Sequence, residues 1–200
     1  MEHLSWLTLG LIFLCGIGLV LPLLLGGVFY LSRLYSNRIR GVAEEQGWRY
    51  KAGSNGLLGG VLPNGQPWQI RLTFVEGYRY IWEAPLKTNQ TGVWIAARGL
   101  GRFHLTWFSG LTPYPDVGPA ELQQRYFLAA TTREPLQRVL TPQVVRLLLN
   151  WPRRGWNIER SLKISLRPNR LRISTDINDT STHLAQLVEL GAALHKALDS

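Results

Sequence analysis

The chain has 200 residues, 46% of them hydrophobic, with 22 Lys+Arg against 13 Asp+Glu and a formal net charge of +9. Cys15 is the sole cysteine, which excludes an intrachain disulfide and any cysteine-based zinc site. The basic excess points to acidic partners, since a surplus of one sign steers association rather than setting the fold.

Residues 4–31 carry no charge and exceed the roughly 20 apolar residues that cross a bilayer as a helix. The stretch predicts a transmembrane anchor over 1–32, with Gly10, Gly16, Gly18, Gly26 and Gly27 as candidate helix-packing positions. None of these glycines has GxxxG spacing. Only Glu2 and His3 precede the run, whereas Arg33, Arg38 and Arg40 follow it, so the positive-inside rule places the N-terminus outside and residues 33–200 in the cytoplasm. A cleaved signal peptide would need a basic n-region and a shorter apolar run.

About 170 residues remain, enough for one domain with a core. Residues 33–47 read as a juxtamembrane helix, with Tyr35, Ile39, Val42 and Gln46 on one face and Gly47 as the stop. The period then changes to two, and 48–131 reads as antiparallel strands. Pro63-Asn64-Gly65 turns a hairpin whose second arm alternates Trp68, Ile70, Leu72 and Phe74 with Gln69, Arg71 and Thr73. Further strands are expected in YRYIWEAPL, GVWIAAR, RFHLTWF and QRYFLAAT, and a Pro/Gly loop at 109–121. Residues 135–200 read as helix, hairpin, helix. Thr141 and Pro142 form a start signal, SLKISLRP and RLRISTDI pair around Pro168-Asn169, and Leu184, Leu187, Val188, Gly191, Leu194 and Leu198 stripe the last helix. The fold class expected is α+β, a transmembrane helix followed by a mostly antiparallel sheet with helices on one face.

The glycine-rich spots GSNGLLGG and Gly99-Leu-Gly101 lack the rest of a phosphate-binding or dinucleotide fingerprint. The four histidines have no metal-ligand spacing, and no HExxH or GxSxG occurs. No catalytic, metal or cofactor residue is therefore named, and no cofactor is expected. Seven tryptophans fall after residue 47, but no RNP-like motif accompanies them, so nucleic acid is a disfavoured partner. The candidate contact surface is Lys163, Arg167 and Arg172 on one hairpin face, with Arg153 and Arg154 near in sequence. The reading is a single-span accessory or scaffolding subunit of an integral-membrane complex, with membrane subunits and anionic lipid headgroups as partners. A tethered lipid- or ligand-binding domain, and an enzyme with an unrecognised site, are the alternatives.

Overall fold

The structure is a computed structural model, and it describes residues 33–34, 36–52, 57–73, 79–87, 92–98, 110–152, 162–176 and 181–199. The chain divides into two compact units, Met1–Gly41 and Val42–Ser200. In the first, residues 33–34 and 36–41 are helical.

The second unit begins with helical residues 42–45, which end where the sequence predicts. Gly47 takes φ of 68°, and the amides of Gly47 and Trp48 donate to the carbonyls of Glu44 and Ala43. This left-handed cap satisfies carbonyls that the helix end would otherwise leave bare.

Among the described residues nine antiparallel strands follow: β1 Arg49–Lys51, β2 Leu57–Val61, β3 Pro67–Thr73, β4 Arg79–Pro85, β5 Val93–Ala97, β6 Thr112–Pro113, β7 Tyr126–Ala130, β8 Lys163–Arg167 and β9 Arg170–Thr175. They form one sheet in the order β1-β2-β3-β4-β9-β8-β5-β7-β6. The β8–β9 hairpin thus stands between β4 and β5. Its two-residue turn uses Pro168, whose ring fixes φ, and Asn169 at φ 56°. The Asn169 carbonyl accepts from the Leu86 amide at 2.9 Å, pinning the turn to the end of β4.

Four further helices are described in the unit: α1 Ala120–Arg125, α2 Arg133–Val139, α3 Pro142–Leu149 and α4 Ser181–Asp199. Thr141 caps α3 by accepting from the Val144 amide, as its sequence signal requires. At the other end of α3, Arg125 donates to the Leu149 and Trp151 carbonyls and the Tyr126 hydroxyl donates to the Leu148 carbonyl. A cation here complements the negative end of the helix.

The core lies between the sheet and these helices. Cross-strand partners share a face, so Ile70, Trp82, Ile173, Ile164, Ile95 and Leu128 form one row, every member buried. Helix α4 covers the row at its centre with Leu184, Leu187, Leu190 and Leu194, all fully buried. Gly191 lets the helix approach: a Cβ there would sit 2.5 Å from the Trp82 indole.

The α+β, antiparallel part of the expected fold class is what the described residues show. Its transmembrane part is corrected. Among the described residues no helix is long and apolar enough to cross a membrane. The described helix with the necessary length, α4, carries His183, Gln186, Glu189, His195, Lys196 and Asp199 among its leucines. That is the two-sided pattern of a helix packed on a sheet. The single-pass assignment, with the N-terminus outside and a cytoplasmic domain, is withdrawn with it. The stretch 1–32, including Gly10, Gly16, Gly18, Gly26 and Gly27, lies outside the described residues, as do the expected RFHLTWF strand and Phe74. One further correction is local: the expected loop 109–121 contains β6 and the start of α1, and residues 124–125 are helical rather than extended.

Candidate contact surface

Helices α1–α4 occupy the face that holds Trp82 and Tyr126. The opposite face is read from the same register, one residue out of step. One row runs Arg49, Gly59, Gln69, Glu83, Arg172, Ser165 and Trp94. The next runs Lys51, Leu57, Arg71, Ile81, Ser174, Lys163, Ala96 and Phe127. Arg79 extends the face at one end of β4, and the paired Arg167 and Arg170 extend it at the other end of the hairpin. Eight basic side chains (Arg49, Lys51, Arg71, Arg79, Lys163, Arg167, Arg170 and Arg172) thus project from one side of the sheet.

Two described carboxylates answer them. Glu83 is 4% exposed and ion-pairs with Arg71. Its oxygens also stand 3.7 Å from Arg170 Nη1 and 3.7 Å from Arg172 Nε, and Gln69 donates to it at 3.5 Å. A buried carboxylate needs such company, because an unpaired one would ionise only at a large desolvation cost. Asp176, the second acid, accepts from Arg79 Nε at 3.1 Å. Arg49, Lys51 and Arg167 have no ion pair among the described residues.

Lys163 is held differently. Its ammonium lies over the Trp94 ring, 4.0 Å from the centroid, where the ring's quadrupole attracts a cation. Burial pushes the Lys163 pKa below its ordinary 10.5, and the nearby Arg172, Arg79 and Arg167 push it the same way. Burial also lowers Arg172, with Glu83 opposing and Arg167, Arg71 and Arg170 adding to the fall. The positive potential of this face is therefore felt by its own members.

A concavity of about 750 Å³ opens between β1 and the β8–β9 turn. Its rim holds Arg49 and Lys51 on one side and Arg170 and Asn169 on the other, with Gln69 and Glu83 in the floor. Gly59, lacking a side chain, leaves the gap in the row between Arg49 and Gln69. Val61, at the end of the same strand, is 59% exposed.

Of the candidate residues read from sequence, the hairpin carries Lys163, Arg167 and Arg172 on this face. Arg153 and Arg154 lie outside the described residues. Sequence reading missed Arg49, Lys51, Arg71, Arg79, Arg170 and Glu83 as members. Alternation marked Arg71 as facing away from the core, but which strands neighbour β4 is a long-range matter that alternation does not carry. Elsewhere, His195 is 1% exposed. Its Nε2 lies 2.9 Å from Gln66 Oε1 and 2.8 Å from the Pro85 carbonyl, and its Nδ1 lies 3.4 Å from Asn64 and 3.4 Å from Asp199. It ties α4 to the β2–β3 turn and to β4.

No protein-family model matches the chain, and no curated protein matches it. The fold is similar to a known one. The crystal structure of the mycobacterial trehalose monomycolate transport factor A, TtfA, superposes with a TM-score of 0.56 at 12% sequence identity, covering 82% of this chain and 95% of that one. At that identity the likeness is one of fold, and the face described above is argued from this chain's own residues.

Proposed function

We propose that the chain is an accessory or scaffolding component of a protein assembly, docking through the cationic sheet face onto an acidic surface of a partner subunit. One observation carries the reading: among the described residues, eight basic side chains share a face with two carboxylates, both already paired. Opposite charges meeting at such a face speed encounter and reject partners of the wrong sign. The work asks for a shaped, charged surface and no reacting group. A protein of similar fold is named as a transport factor, and a partner-binding role for this chain agrees with that.

The test is co-purification of the intact chain under native conditions, with its stoichiometric companions identified. The expected companion is an acidic subunit that is retained at low salt and released near 1 M salt, where the Debye length falls to about 3 Å. Arg167→Glu, at an exposed position on the face, is expected to lose it, and Lys196→Glu, exposed on α4, to keep it. Retention that ignores both salt and Arg167→Glu, or transfer of the chain to anionic lipid vesicles with no protein companion, would overturn the reading.

A further inference from the structure

The concavity at one end of the cationic face has a charge pattern of its own. Its two sides are basic, Arg49 and Lys51 on β1 and Arg170 on β9, and these strands are four steps apart in the sheet. At about 4.8 Å per step the backbones are separated by roughly 19 Å. Between them the described floor residues add no further cation to the lining: Gly59 is bare, Gln69 is neutral, and Glu83 is ion-paired with Arg71, with Arg170 and Arg172 each 3.7 Å from its oxygens. The pairing of Val61 with Pro67, and of Pro85 with Arg170, places apolar groups along one end of the same gap. Pro67 and Pro85 offer ring surface and no amide hydrogen along this border.

We infer that this concavity receives an extended segment of the partner polypeptide, acidic at both ends and apolar in between, lying across β1, β2, β3, β4 and β9. An extended chain advances about 3.3 Å per residue, so roughly six residues separate the two acidic ends. Acidic groups at the middle of the segment would face the Glu83 carboxylate, a like charge. The volume lies within the roughly 300–1,000 Å³ range of sites that bury a ligand. The inference rests on the docking reading above and gives the partner's contacting segment its chemistry.

The probe is a fluorescein-labelled octapeptide, DEVPLVED, against its permutation VPDEEDLV, which has the same composition and net charge but central acids. Anisotropy titration of the full chain is expected to favour the first by about tenfold or more, 1.4 kcal/mol per tenfold. The double variant Arg49→Glu/Lys51→Glu and the single variant Arg170→Glu are each expected to erase that preference. The neutral double variant Arg49→Gln/Lys51→Gln, with folding checked by circular dichroism, is expected to weaken DEVPLVED in the same direction. Equal binding of the two peptides, or a preference indifferent to these variants, would overturn the inference. If the peptides bind equally while Arg167→Glu still releases the companion subunit, the segment is wrong and the docking reading stands. If neither peptide preference nor companion is found, both fall.

Discussion

Glu83 is the residue on which the cationic face depends. It is the carboxylate nearest to Arg71, Arg170 and Arg172, and it is buried while Arg71 and Arg170 are about half exposed. Glu83→Gln keeps the shape and the hydrogen bond from Gln69 within reach but leaves three guanidinium groups without their counterion. Unfolding in urea is expected to show a loss of about 1–3 kcal/mol, partly recovered on adding salt because like-charge repulsion is screened. Lys163 gives a pH test. Its folded pKa is depressed by burial first, then by neighbouring arginines. Between that depressed value and 10.5, the unfolded chain holds a proton that the folded chain has released, so stability rises with pH across the window. Lys163→Met is expected to flatten this alkaline rise in a stability-versus-pH series. Trp94 fluorescence is the independent readout of the lost cation.

At the scale of elements, α4 packs closely on β4 where Gly191 meets Trp82. Glycine in a helix interior costs about 1 kcal/mol relative to alanine, so Gly191→Ala would stabilise a solvent-exposed helix. Here the added Cβ would meet the Trp82 ring at 2.5 Å. Overpacking of this kind costs about 1–3 kcal/mol, and the expected sign is destabilisation, measured as a lower urea midpoint with unchanged slope. A second tie at this scale is His195. His195→Leu would strip the Pro85 carbonyl and Gln66 of a donor inside the structure. The expected loss is again about 1–3 kcal/mol, with amides of the β2–β3 turn exchanging faster.

For the whole molecule, the order of strands matters more than any single contact. The last hairpin separates β4 from β5, so residues far apart in sequence complete the middle of the sheet. A chain cut after residue 161 would leave β4 and β5 as unpaired edges with buried apolar side chains exposed. Such edges aggregate rather than persist. The expected result is a truncated product without a cooperative unfolding transition, checked by thermal circular dichroism. The same topology assembles the cationic face, because Arg71 and Arg79 come from the first half of the chain and Lys163, Arg167, Arg170 and Arg172 from the last hairpin.

How much of this was legible beforehand follows from what each signal measures. Alternation placed Trp68, Ile70 and Leu72 on one side and Arg71 on the other, and it put Leu162, Ile164 and Leu166 on one face with Leu171, Ile173 and Thr175, because a strand's period of two is local. Caps behaved likewise: Thr141-Pro142 and Gly47 mark helix ends through their own backbone and side-chain chemistry. Apolar run length is also local, but it is a statement about solvent preference, and the transmembrane reading drawn from 4–31 found no spanning helix among the described residues. Short helices such as α1, six residues after Pro119, have too few positions for a period to show.

By itself the sequence determined which side chains turn inward along β3, β8 and β9, where the Asn64-Gly65 and Pro168-Asn169 turns and the Gly47 and Thr141 caps fall, and that the balance of charge is basic. Tertiary structure alone decided that β9 lies beside β4, and so that Arg71, Arg170 and Arg172 surround one buried Glu83. The reason is physical: strand pairing between distant segments is chosen by the joint burial of both faces and by chain closure, and neither quantity is written in any one segment.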